Sequence, residues 1–148
     1  MLLVPLFLCI GFMIAILYID LMFDVMAVPY RRASTPPEVV GSIVTYYGRI
    51  TQNPYLLMFV MFTAMVCIVA ELWYQLVPPW VGYSSLVFMG IGMGAGAGKV
   101  IPAAQRLSSG KEPEDTRAQL IRSMFPWHIV LLASILSLAL VQGSTTLR

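Results

Sequence analysis

Charge is so unevenly distributed along this chain that long stretches of it carry none. Eight of the nine Lys and Arg residues fall in two segments, Arg31 to Arg49 and Lys99 to Arg122, and only Arg148 lies elsewhere. Around these segments run Leu2–Ile19, Gln52–Ala70, Leu72–Gly98 and Ser123–Leu147, all without Asp, Glu, Lys or Arg. At about 1.5 Å rise per residue, about 18 residues or more of this kind cross the apolar core of a bilayer. With 148 residues that are 59% hydrophobic and 11% charged, against about 25% charged in soluble domains, the chain has too many apolar side chains to hide from water. In lipid they need no hiding, and a helix satisfies its own backbone.

The expected fold is therefore all-α: an integral membrane four-helix bundle in one domain. Its spans are expected at about 2–23, 54–75, 81–103 and 124–142, with a short amphipathic interfacial helix at about 36–51. The first apolar run lacks a basic leader or cleavage motif and reads as a retained span. Basic residues beside spans mark the cytoplasmic side. Both basic loops are expected there, with both termini on the non-cytoplasmic side.

Several local signals support these elements. Thr35-Pro36-Pro37-Glu38 forms a capping box with proline at the first helical turn. Val39, Ile43, Tyr46 or Tyr47, and Ile50 then recur at helical spacing. That helix is expected along the inner interface, with Tyr46 and Tyr47 at headgroup depth, or across the inner mouth of the bundle. Pro78-Pro79 makes an outer hairpin, flanked by Trp73, Tyr74 and Trp80 as an aromatic belt. Glu114–Arg122 reads as a short helix, and Pro126 as the first turn of span four.

Span three carries the most regular pattern. Gly90, Gly94 and Gly98 lie on one helical face, Gly92 and Gly96 on another. Small residues let helices approach closely in lipid, so this stripe is the expected packing face toward another helix, a second copy or other membrane subunits. It does not match the Gly-x-Gly-x-x-Gly of a nucleotide site. Cys9 and Cys67 lie inside spans without a Cys-x-x-Cys partner and read as packing residues. Nothing in the chain suggests nucleic-acid binding.

If span one runs inward, Asp20 and Asp24 lie at its inner end, sharing a face at i, i+4. Span two starts there with Arg49, Gln52 and Asn53; span three ends there with Lys99, Gln105 and Arg106; span four starts there with Trp127 and His128. Ionisable groups at membrane depth usually face the interior and pair. Asp20 has two open readings: an ion pair with Lys99 or Arg49 that locks the bundle, or proton transfer. His128, the one histidine, is either a polar anchor or a general base. Zinc and non-haem iron favour more His or Cys than Asp20, Asp24 and His128 supply, so no metal is expected.

Arg49-x-x-x-Asn53-Pro54, Pro102-x-x-Gln105-Arg106-Leu107 and Arg122 with Trp127-His128 together resemble the anthrone-oxygenase-like family of small four-span membrane proteins. The resemblance implies cofactor-independent oxidation of a lipophilic aromatic or quinone-like molecule at the inner leaflet. His128 or Asp20 would act as base, with Arg49 or Lys99 stabilising an oxyanion. Asp24, Asn53, Lys99, Gln105 and Trp127 would line the substrate site, and Tyr18, Met22, Phe23, Met58 and Phe125 would form an apolar slot. Two other readings stand beside it. One is a non-enzymatic subunit packing through span three. The other is a glutathione-using enzyme of the leukotriene-synthase type, faintly echoed by Arg49 and Asn53. An open cavity in the polar layer would favour an enzyme, and closed pairs a subunit.

Overall fold

The computed structural model of the chain describes residues 2–27, 36–52 and 54–145. Thr35, the Pro29–Arg32 exit, Asn53 and Arg148 lie outside these residues. The described residues form helices and turns with no strand: α1 (Leu3–Val25), α2 (Pro37–Gln52), α3 (Tyr55–Trp73), α4 (Pro79–Ala95), α5 (Ile101–Ser108) and α6 (Glu114–Gly143). A single π-helical stretch, Gly96–Val100, joins α4 to α5. Among the described residues, four helical stretches are long and apolar enough to cross a membrane: Leu3–Val25, Tyr55–Trp73, Pro79–Ser108 and Glu114–Gly143. The outward side chains of the spans are themselves apolar, with Leu8, Phe59, Phe62 and Leu140 each about two-thirds exposed or more. A surface of that kind is stable against lipid, not water. The chain is a multi-pass integral membrane protein.

α1 packs on α3 and α6, and α4 packs on the same two helices, so the four close into a ring. The interior of the ring is an apolar core built from Leu6, Ile10, Met13, Ala64, Ile68, Met89, Ile135 and Leu138 and their neighbours. A second, separate core lies beyond one end of it. There Val40, Ile43 and Tyr47 of α2 meet Ala104 and Leu107 of α5 and Ala118, Ile121 and Met124 of α6. The described parts of the two basic segments, from residue 36 and from Lys99, are thus not loose loops. They form a packed cap over one mouth of the bundle, and α2 buries one apolar face in it.

Two boundaries differ from those read in the sequence. α6 is a single helix of 30 residues with Pro126 in its interior, not a short helix followed by a span starting at that proline. Proline is tolerated inside membrane helices because neighbouring elements and local adjustment re-satisfy the backbone, and here the cap core holds the half of α6 before it. The third span likewise continues through its π turn to Ser108. Gly110, at a left-handed φ of 71°, then reverses the chain. At the opposite end, Gln75 takes a φ of 52° and the Leu76 N–H reaches back to the Glu71 carbonyl, 2.9 Å. This closes α3 in a Schellman-type turn. Pro79 then sits in the first turn of α4, where its missing N–H costs nothing.

The glycines of span three divide by face. Gly92 and Gly96 look toward α6, but an added methyl would lie 3.7 to 3.9 Å from Leu131, Ser134 and Ile135, an ordinary contact. Gly90, Gly94 and Gly98 face open space. The glycine that packing demands is Gly82, which carries no repeat signal. A Cβ there would fall 2.3 Å from Leu72 Cδ2 and 2.4 Å from its Cγ. Gly82→Ala is therefore expected to destabilise the purified protein by about 1–3 kcal/mol, the usual range for overpacking. Gly94→Ala is expected to be neutral or stabilising by up to about 1 kcal/mol, as for glycine in a helix interior. Unfolding of the two variants in detergent micelles checks both signs.

Candidate functional site

The polar layer lies where the two cores meet. In α1, Asp20 and Asp24 fall between Leu17 of the membrane core and Ala27 of the cap core. In α6, His128 falls between Met124 of the cap and Leu131 of the membrane core. Helical spacing turns all three inward, and they are almost wholly buried: Asp20 8%, Asp24 1% and His128 1% exposed.

The imidazole is held between the two carboxylates. His128 Nδ1 lies 2.5 Å from Asp24 Oδ2. A carboxylate only accepts, so Nδ1–H donates to it. Nε2, on the other side of the ring, lies 3.7 Å from Asp20 Oδ2, beyond hydrogen-bond reach. Each carboxylate has a second partner from the cap. Tyr46 O–H donates to Asp20 Oδ1 at 2.7 Å, and Tyr47 O–H donates to Asp24 Oδ1 at 2.9 Å. Adjacent tyrosines of one helix therefore serve two carboxylates one turn apart on another. Phe23 stacks on Tyr46 with ring centroids 4.0 Å apart, and the Tyr47 ring lies nearly parallel to the imidazole at 6.3 Å.

This arrangement is an oriented acid–base group. Asp24 fixes the tautomer and ring direction of His128, as the orienting partner of a catalytic histidine does. Nε2 is left facing the one carboxylate of the pair that has some exposure. Asp20 takes its partners from Tyr46 and His128, in place of the expected Lys99 or Arg49. Lys99 sits instead over the Trp127 ring, 5.8 Å from its centroid. Arg49 and Gln105 are exposed on the cap, and Trp127 is at the surface. Tyr18, Met22 and Met58, read as parts of an apolar slot, are exposed on the outside of the bundle. Asn53 lies outside the described residues. Among those residues, no three His, Cys, Asp or Glu side chains converge on a metal position. Cys9 and Cys67 are free and buried.

Two site components were missed in the sequence. The sequence offers α2 either at headgroup depth or across the inner mouth of the bundle; it packs in the cap, and Tyr46 and Tyr47 are the hydrogen-bond donors of the layer. Their signal was present: a Tyr pair on the amphipathic face of a capping helix, matched to an Asp pair at i, i+4. The second is a polar cluster at the far end of the bundle, around Glu71. Gln142 Nε2 there donates to Glu71 Oε2 at 2.9 Å and to Ser85 Oγ at 3.0 Å. A lone Ser and a Gln near a span end carry no spacing rule that would have paired them.

Comparison with known protein families, curated proteins and solved structures found no match.

Burial, and then the charge of Asp20, pushes the Tyr46 hydroxyl far above its ordinary value. Burial and Asp24 do the same to Tyr47. A group whose folded value is raised stabilises the fold fully below its unfolded value, about 10 for tyrosine, and less as pH climbs past it. A spectrophotometric titration checks this. Tyr46→Phe/Tyr47→Phe should show the same tyrosinate amplitude as the unsubstituted chain up to the onset of alkaline unfolding. A deficit of two tyrosines near pH 10 would contradict it.

Proposed function

We propose that this chain is a membrane enzyme in which the Asp24–His128 dyad acts as general base on a lipophilic aromatic or quinone-like substrate, which reaches it from the cytoplasmic leaflet. The observation that carries the reading is the held imidazole: Nδ1 bonded to a buried carboxylate, Nε2 unbonded. Magnitudes favour chemistry over stability as its reason. A charged group within a membrane costs about 2.5–3.5 kcal/mol on insertion scales, and a hydrogen bond to a charged group returns about 1.5–3 kcal/mol. A layer with two carboxylates and a histidine is thus no net gain over the Leu and Ile that fill the rest of the bundle.

The oxidation suggested by the family resemblance fits this geometry. Nε2 removes a proton from an activated CH₂ between aromatic rings, and the carbanion is oxidised by dioxygen. The CH₂ becomes C=O, its two hydrogens and the second oxygen atom leave as water, and no cofactor is required. Tyr47 keeps its one hydrogen on Asp24, whereas the Tyr46 hydroxyl, once parted from Asp20, supplies a donor to a developing oxyanion, the role that the resemblance gives to Arg49 or Lys99. In the closed arrangement a substrate atom meets Nε2 only by displacing the Asp20 carboxylate, and with it Tyr46. Access therefore requires α2 to move relative to α1.

A second reading is favoured by one observation: each of Asp20, Asp24 and His128 already has a hydrogen-bond partner within the chain. In that case the layer is a lock between α1, α2 and α6, and the chain is a subunit of a larger assembly that covers the outward glycines of span three. Purification in mild detergent, followed by sizing and mass spectrometry of co-purifying molecules, separates the two. The enzyme reading expects a bound aromatic molecule and oxygen consumption with a hydroxy-aromatic CH₂ substrate. It also expects that consumption to fall at least ~100-fold, the usual worth of a general base, in both His128→Ala and Asp24→Asn while the helical fold is retained. A stoichiometric protein partner, with no oxidation, would establish the subunit instead.

A further inference from the structure

The cluster at the opposite end of the bundle has a defect in its hydrogen bonding. Glu71, Ser85 and Gln142 are each 1% exposed or less. Both amide hydrogens of Gln142 are used, one on Glu71 Oε2 and one on Ser85 Oγ. The remaining oxygen of each group, Glu71 Oε1 and Gln142 Oε1, is buried without a partner. Two orphaned acceptors in an apolar surround are rare, because buried polar groups are almost always satisfied. One of the two belongs to a group that, if ionised, carries a charge. No Lys, Arg or His among the described residues forms an ion pair with it.

We propose that Glu71 and Gln142 form a proton-binding site, a carboxylic acid–amide pair that holds one proton in the half of the bundle away from the Asp24–His128 dyad. A hydrogen on Glu71 Oε1 turns one orphaned acceptor into a donor and gives the other, Gln142 Oε1, the donor it lacks. Acid and amide then share two hydrogen bonds in a closed ring, and no charge remains in the lipid-facing bundle. Turning the amide over leaves the same demand. Its oxygen would then face Glu71 Oε2, and only a carboxyl hydrogen reconciles the two. Ser85 from α4 accepts the second amide hydrogen and fixes the plane of the pair. The backbone holds Glu71 from the other side, since its carbonyl closes the turn that ends α3.

The other titratable side chains in this half are Cys67 one turn before Glu71 on α3, Cys9 on α1, and Tyr74 and Tyr83, which are exposed on the outside of the bundle; the positive charge of the amino terminus also acts on Glu71. α4 and α6 contribute Ser85, Ser134 and Gln142, which do not titrate. Between this site and the dyad the core is apolar, from Leu6 and Ile10 through Met13 and Ala64 to Leu17 and Leu131. The two sites are thus separated by an apolar core.

Infrared spectroscopy of the full chain in lipid nanodiscs reads the proton directly. The glutamates are Glu38, Glu71, Glu112 and Glu114, and Glu71 alone of these is buried. At neutral pH the protein should show a protonated-carboxyl C=O band that shifts when glutamate carries a ¹³C carboxyl and stays when aspartate does. The band should vanish in Glu71→Gln and move to the position of a weakly bonded acid in Gln142→Leu. Absence of any glutamate-dependent acid band at neutral pH overturns the proposal. So does a band that disappears when sodium replaces choline in the buffer, because a cation would then hold the two oxygens. The isotope shift in the unsubstituted chain decides the matter even if a variant fails to fold.

Discussion

The hydrogen bond from His128 to Asp24 joins the first and last spans at the level where two apolar cores meet, and the rest of the architecture is arranged around it. Removing one partner would leave the other buried and unsatisfied, which costs more than the bond is worth. Asp20 gives the ring a second carboxylate, and α2 closes the layer with one tyrosine for each. The cap is thus not merely apolar cover. It supplies half of the polar contacts that make a charged layer tolerable at the edge of a lipid-facing bundle. The cost of that layer explains why the two cores are distinct, since no apolar packing continues through it on α1 or α6.

Much of this was legible before any coordinates. Segregated charge marked the spans, because a charge inside lipid is expensive whatever the fold. The alternation of apolar and polar residues after Glu38 marked α2. The placing of Asp20, Asp24 and His128 at one height followed from counting helical rise along antiparallel spans, and the structure brings these three together. What counting could not supply was direction around each helix axis. Lys99 and Arg49 have the right height, yet they point outward, where long cationic side chains keep their heads in water or over an indole ring. Tyr46 and Tyr47 have an interfacial character that hid their inward role. Glycine periodicity drew notice to span three, while the steric need for glycine fell at Gly82, where a single leucine from α3 occupies the space.

Two buried acidic sites, at opposite ends of one bundle, are handled in contrasting ways. At the cap end a carboxylate is matched by an imidazole N–H and tyrosine hydroxyls, all donors. At the far end a carboxyl meets only an amide, which a serine holds from the other side, and its donors fall short by one. The first arrangement suits a group that must exchange a proton with a substrate. The second suits one that keeps a proton. Sequence spacing favours neither, because the distinction lies in which side chain from another helix arrives opposite each acid.

The coupling between Asp24 and His128 is the most direct measure of the central interaction. A double-mutant cycle with Asp24→Asn, His128→Gln and the combined variant, read by unfolding in micelles, isolates it from the separate cost of each change. A buried hydrogen bond to a charged partner predicts a coupling of about 1.5–3 kcal/mol. Costs that add to within about 0.5 kcal/mol would mean that the two side chains do not meet, and the site built on their contact would fall with it.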